Sequence, residues 1–145
     1  MNGVLGLTCW GDKVEVITNL FKADDYYKSK PIFLLENSVF PALKNDKYVV
    51  YKPGKEIKGI CTYAFLTDEE IQKNEFNGDE VFARDEGQNL HFCQFICHAP
   101  KREVFKFVRT IQRALSDKYP EYATASWIRK KSGSMRPELW FRKDI

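Results

Sequence analysis

The sequence predicts a mixed α/β fold, a sheet of about five to six strands with helices on both faces. Three observations carry that expectation. The runs 47–51 (Lys47-Tyr48-Val49-Val50-Tyr51) and 57–66 flank the turn Lys52-Pro53-Gly54-Lys55 and read as an antiparallel hairpin. The run 90–98 is apolar on both alternating faces, as a strand inside a sheet is. It leads through the basic step Lys101-Arg102 into an amphipathic helix and then to another strand-like run, 123–129.

The elements follow in order. Apolar residues at Val4, Leu7, Trp10, Val14, Ile17, Leu20 and Phe21 fall close to helical spacing, with Gly11-Asp12 as a candidate break. Residues 22–30 are polar and turn-forming, and Tyr26 and Tyr27 stand out among them. Pro31 suits the first turn of a second helix. The stripe Ile32, Leu35, Val39, Leu43 of that helix crosses a kink at Pro41. After the hairpin, Thr67-Asp68-Glu69-Glu70 has the form of a capping box and opens a short helix to about Phe76. Residues 77–89 are acidic and polar and read mostly as loop, with Val81-Phe82-Ala83 as their one apolar patch. The helix from about Glu103 turns Val104, Val108, Ile111 and Leu115 inward, with Lys106, Arg109, Thr110 and Arg113 opposite. Ser132-Gly133-Ser134 centre a turn before a last strand, and Trp127 and Trp140 are expected to pair across that hairpin.

Composition narrows the class. A chain of 145 residues, 43% hydrophobic and 14% aromatic, suffices for one core, so a single domain over 1–145 is expected. No run of about 18 apolar residues is present, which argues against a transmembrane helix. The first residues lack the basic stretch and A-x-A site of a secretory signal. Four cysteines in apolar surroundings then read as reduced thiols of a cytoplasmic protein. A net charge of +3 permits an acidic partner without requiring one.

Chemistry is concentrated in 90–98, which holds both histidines and two of the four cysteines. Regular alternation puts Phe92, Gln94, Ile96 and His98 on one face and His91, Cys93, Phe95 and Cys97 on the other. Cys97 and His98 then point apart and form no nucleophile–base pair. Cys93 and Cys97 share a face but lie roughly 13 Å apart at about 3.3 Å per residue. One zinc ion with bonds of about 2.3 Å does not span that, and no metal is expected. His98, at the strand's C-terminal end where open sheets place ligands, is the candidate general base. Its alternative is a histidine hydrogen-bonded at a sheet edge. Gln94 is a candidate to hold a carbonyl or water, and Tyr27 or Tyr26 a general acid or acceptor-site wall, with packing as the plain alternative. Main-chain N–H groups around Phe95, Ile96 and Cys97 are candidates for an oxyanion, and Lys101 and Arg102 for a phosphorylated cofactor. Cys97 as an acyl-accepting thiol stands against the inert buried cysteine. The cluster Arg129-Lys130-Lys131 with Arg136 and Arg142 suits a solvated hairpin, an acidic carrier protein or, less favoured, nucleic acid.

In this order, the runs resemble the RTX toxin-activating lysine-acyltransferases, a family with a GNAT-like fold. The resemblance spans Val4-Leu5-Gly6 to Arg129. It is carried by Trp10, Pro31, Pro41-Ala42, Tyr48-Val49-Val50 and Cys61-Thr62-Tyr63-Ala64-Phe65-Leu66-Thr67. Phe92-Cys93-Gln94-Phe95-Ile96 with Ala99-Pro100, Lys118-Tyr119-Pro120-Glu121 and Ala125-Ser126-Trp127-Ile128-Arg129 complete it. It implies transfer of a fatty acyl group from acyl carrier protein to a lysine of a protein toxin. The residues implied are a histidine just before the second helix and an aspartate in the central strand. Here the first segment reads Tyr26-Tyr27-Lys28-Ser29-Lys30, and the aspartate position falls at Gln94 or a neighbour. The coenzyme A turn, Gly-rich in the wider superfamily, is Ala99-Pro100-Lys101-Arg102-Glu103. The expectation is an N-acyltransferase drawing on a coenzyme A thioester or the phosphopantetheine of acyl carrier protein. It acts on an amine such as a protein lysine, without metal or membrane. The alternative is a non-catalytic binding or inhibitor protein, a phage-type host-targeting factor, on the same fold.

Overall fold

The computed structural model describes residues 10–25, 27–31, 35–73, 78–127 and 138–141. The expectations for Val4 and Leu7, Tyr26, Ile32 and the Ser132-Gly133-Ser134 turn lie outside the described residues.

Helix α1 (Trp10–Lys22) carries Gly11-Asp12 in its first turn, so they do not break it. Asp12 meets the positive end of the helix dipole and Lys22 the negative end. The second helical segment is not one helix kinked at Pro41. Residues Leu35–Val39 form a wide π-helical turn, and helix α2 (Phe40–Lys44) continues it. Pro41 has no N–H to offer the carbonyl of Asn37. That carbonyl accepts the Gly78 N–H at 2.7 Å instead, which ties this segment to a distant loop.

Strands β1 (Tyr48–Tyr51), β2 (Gly59–Leu66), β3 (Asn89–Cys97), β4 (Thr124–Ser126) and β5 (Glu138–Trp140) form one sheet in the order 1-2-3-4-5. Neighbours are antiparallel except β3 and β4, which run parallel. Helix α5 (Lys101–Lys118) makes the crossover such a pair requires. This is the expected mixed α/β architecture, consistent with a GNAT-like fold, with the 90–98 run as its central strand. In the β4–β5 register Trp140 faces Thr124, so Trp127 and Trp140 do not form the expected cross-strand pair.

Both faces are covered. On one, Ile17 and Phe21 of α1, Tyr27, and Leu35 and Val39 of the π-turn pack on Tyr48, Val50, Ile60 and Ile96. On the other, Phe107, Ile111 and Leu115 of α5 pack on Val49, Tyr51, Cys61, Tyr63 and Phe65. The helix is therefore rotated from its expected setting: Phe107 is fully buried, while Val104 and Val108 are half-buried. The Phe107 ring stacks on both Tyr51, at 5.4 Å, and Phe95, at 5.1 Å. Gly59 makes the room. A Cβ there would stand 2.7 Å from the Ile96 carbonyl and 3.0 Å from the Phe107 ring.

Helix α3 (Asp68–Lys73) opens on the capping box, Glu70 N–H donating to Thr67 Oγ1 at 3.1 Å and Thr67 N–H to Glu70 Oε1 at 2.9 Å. The 77–89 segment is less loop-like than its composition suggests. A one-turn helix α4 (Asp79–Phe82) seats Phe82 fully in the core beside Ala64, Leu66 and Ile71, and that aromatic burial offsets the cost of ordering an acidic stretch.

Arg84 locks the two pieces. Its guanidinium donates to Glu70 Oε1 at 2.7 Å, to Glu70 Oε2 at 2.9 Å and to the Phe65 carbonyl at 3.1 Å. The Arg84 hydrogen bonds, outweighing partial desolvation, lower the Glu70 carboxyl from the usual value near 4.5 to about 2. A depressed carboxylate contributes stability above its unfolded pKa and loses it as pH falls toward the folded one. Glu70→Gln should therefore lower stability by about 1–2 kcal/mol at neutral pH, allowing for partial solvent screening. It should also flatten the loss of stability between about pH 4.5 and 2. Urea midpoints of both proteins across that range check it; parallel acid limbs would contradict it.

Candidate functional site

The site is built on an irregularity of β3. Thr62 pairs with Gln94 but Tyr63 pairs with Phe92, so Cys93 is an extra residue with no partner on β2. The Gln94 N–H donates to the Thr62 hydroxyl at 3.1 Å, at a position where the ladder would use a carbonyl. Such a bulge breaks the alternation of side chains. Leu90, Phe92 and Cys97 face α5 with the Phe95 ring, whereas Cys93, Gln94 and Ile96 turn to the opposite layer. The expected alternation is corrected on two points: Phe92 does not share a face with Gln94 and Ile96, and Cys93 and Cys97 lie on opposite faces.

Three of the predicted site residues face the α1 side, and two of them, Tyr27 and Gln94, are in contact. The Tyr27 hydroxyl donates to Gln94 Oε1. The Tyr27 ring, almost fully buried, stands edge-on to Phe21 at 4.8 Å. One residue before Phe21, the Leu20 carbonyl accepts a hydrogen bond from His98 Nε2 at 2.9 Å. A carbonyl only accepts, so Nε2 carries the proton, and in the neutral ring Nδ1 is the basic nitrogen. The His98 side chain is exposed, and its N–H anchors to the Lys58 carbonyl at 2.7 Å. The last turn of α1 thus braces both ends of the row Gln94, Ile96, His98. His91, the other histidine, is buried and bonded through Nδ1 to Ser126 Oγ at 2.8 Å, a structural place.

The cofactor candidates lie on the far edge of the same strand. Because Gln94 and His98 direct their N–H groups toward β2, strand alternation directs those of Phe95 and Cys97 the other way. Strand β4 reaches β3 only at His91↔Ser126, and among the described residues nothing pairs with this edge beyond that point. Phe95, on this stretch, is 40% exposed. Ile96 differs from the other two: its side chain is buried against α1 and its main chain is paired with Ile60. Lys101 and Arg102 are exposed in the first turn of α5, just after this edge. Glu103, beside them, accepts the Tyr51 hydroxyl at 2.9 Å on the sheet side.

Sequence reading missed Thr62 and the Leu20 carbonyl. The first had a signal, the one aliphatic hydroxyl in the run Ile60-Cys61-Thr62-Tyr63-Ala64; the second, a main-chain group, had none. Burial pushes the Cys61 and Cys93 thiols up, so neither is a ready thiolate. A cavity of about 100 Å³ lies between Phe21, Tyr27 and Leu35, rimmed by Lys22, Lys28 and Lys30. That is well below the roughly 300–1,000 Å³ of a small-molecule site.

A mixed five-stranded sheet with helices on both faces is consistent with a GNAT-like α/β protein. Its membership is narrower. The family model of HlyC, the RTX toxin acyltransferase family, matches residues 13–136, and the chain belongs to that family of acyltransferases. No curated protein matches the chain. Among the described residues no helix is long and apolar enough to cross a membrane.

The Tyr27–Gln94 contact makes a quantitative expectation. Tyr27→Phe and Gln94→Leu should each cost about 1–3 kcal/mol, because each strands a part-buried polar partner. Their combination should cost less than the sum, with a coupling energy of about 1 kcal/mol or more. Denaturation of the four proteins measures it, and strict additivity would mean that the two side chains do not interact.

Proposed function

We propose that the protein is an N-acyltransferase that moves an acyl group from a thioester, on acyl carrier protein or coenzyme A, to an amine such as a lysine of an acceptor protein. The observation that supports this most strongly is the family match over residues 13–136, joined to an open β3 edge beside a basic helix start. Acyl carrier protein is the favoured donor, since it is the donor that the family uses.

In this reading one main-chain N–H of the β3 edge, that of Phe95 or of Cys97, receives the thioester carbonyl as an oxyanion donor does; at about 3.3 Å per residue the two stand roughly 6.6 Å apart, so the other meets a different polar group of the donor. Lys101 and Arg102 receive the phosphate of the phosphopantetheine. Tyr27 lies in the segment where the family resemblance implies a histidine, and Gln94 at or beside the position where it implies an aspartate. Neither is a general base at neutral pH, so the pair orients the reacting groups and the base is found elsewhere. His98 Nδ1 takes a proton from the acceptor ammonium. The freed amine attacks the thioester carbon, the C–N bond forms, and the oxyanion collapses. The C–S bond breaks, and the thiolate leaves to be protonated.

The test is transfer followed by intact mass. Incubation with acyl-loaded carrier protein and a lysine-bearing toxin domain should add one acyl mass to the acceptor. His98→Gln, which can still donate to the Leu20 carbonyl, should cut the rate roughly 10²–10⁴-fold with the melting temperature nearly unchanged. Unchanged turnover in this variant would remove His98 from the chemistry. No transfer from either donor by the parent protein would favour the binding-protein reading.

A further inference from the structure

Some exposed cations of this protein are paired: Lys28 with Asp25, Lys44 with Asp79, Lys58 with Glu56 and Lys73 with Glu69. Lys22, Lys52 and Lys55 have no ion pair among the described residues but stand singly on other elements and loops. Helix α5 gathers such cations on one face. Its outward face carries Lys101, Arg102, Lys106, Arg109 and Arg113, all exposed, and none has an ion-pair partner among the described residues. At 100° per residue Arg102, Lys106, Arg109 and Arg113 fall within one narrow outer stripe. Phe105 sits beside them and is 74% exposed. The one carboxylate in the first turn, Glu103, is turned away to Tyr51.

A stripe of unpaired cations around an exposed aromatic is the composition of a docking face. Aromatic and arginine side chains are the ones that carry interface energy, and charges steer the approach. The stripe is about 18 Å long, twelve residues at 1.5 Å each. It begins at the open edge of β3, so a partner lying along it has its delivery end at the candidate site. A convex single helix with one aromatic offers no groove and no row of rings on which bases stack, which disfavours a nucleic acid.

We propose that the outer face of α5 docks the acyl donor itself, an acidic carrier protein whose carboxylates lie along Lys106, Arg109 and Arg113 with Phe105 in an apolar contact. This rests on the acyltransferase reading, and it assigns donor recognition to side chains that take no part in the chemistry. Selection for a carrier-bound thioester over a free one then resides in the helix rather than in the pantetheine groove.

The experiment compares the parent protein with Lys106→Glu/Arg109→Glu/Arg113→Glu and with Phe105→Ser. Titration with a carrier protein loaded with a long-chain acyl group, at low and high salt, reads docking without turnover. The parent should bind, and binding should weaken as salt rises. The triple variant should weaken it at least about tenfold, and Phe105→Ser several-fold with little change in salt dependence. In a transfer assay the variants should raise KM for the carrier-bound donor and leave turnover of a small acyl-pantetheine thioester unchanged. Equal binding by parent and triple variant overturns the proposal, as does a variant that loses only duplex DNA. Docking lost in the variant, with no transfer by the parent, would keep the docking face and remove the acyltransferase reading.

Discussion

The extra residue at Cys93 is the constraint on which the rest of the site depends. A strand has a period of two, so a one-residue insertion reverses the facing of everything after it. Counted regularly from Leu90, residues 94, 96 and 98 would point at α5, into the layer filled by Phe107 and Ile111. The bulge sends them to the α1 side instead, where Tyr27 and the Leu20 carbonyl wait for them. It also sends the Phe95 ring down onto Phe107, and among the described residues no strand faces the N–H groups of Phe95 and Cys97. One irregularity thus decides which layer receives the side-chain row of a strand whose far edge no described residue pairs with beyond His91.

The frame around the bulge holds it in place. Thr62 supplies the hydroxyl that the displaced Gln94 N–H needs, and Gly59 lets β2, β3 and α5 approach where the strand recovers its register. On the other layer, the carbonyl that Pro41 leaves unpaired is taken by Gly78, and Arg84 joins Glu70 to the end of β2. These are hydrogen bonds between segments far apart in sequence. They fix the layer that carries Tyr27 against the strand that carries Gln94.

Much of the fold was legible in the residues because it follows from local chemistry. The 47–66 hairpin, the Thr67–Glu70 capping box and the strand that leads into a basic helix start each have a signature within a few residues. The bulge has none: no glycine or proline marks Cys93-Gln94, and its cause, Thr62, lies on another strand. For the same reason the side-chain row of the site was legible as a list, Tyr27, Gln94 and His98, while the partnership of Tyr27 with Gln94 and the tether of His98 to Leu20 were not. Helix α5 was read from its valines, but a ring buries more surface than a valine, and Phe107 set the rotation. The Trp127–Trp140 pairing failed because it depended on a register that only the β4–β5 pairing determines.

Past the bulge β3 has one edge paired with β2 and one edge that no described residue pairs with, and the proposed mechanism seats the thioester on the second. Residue-resolved amide hydrogen exchange tests it directly. In the free protein the N–H groups of Ile96 and His98 should be protected and those of Phe95 and Cys97 should exchange rapidly. Adding acyl-loaded carrier protein should slow Phe95 and Cys97 and leave Ile96 little changed. Equal protection of all four groups in the free protein would mean that the edge is closed. Fast exchange at Phe95 and Cys97 that saturating donor leaves untouched would mean that the thioester lies elsewhere.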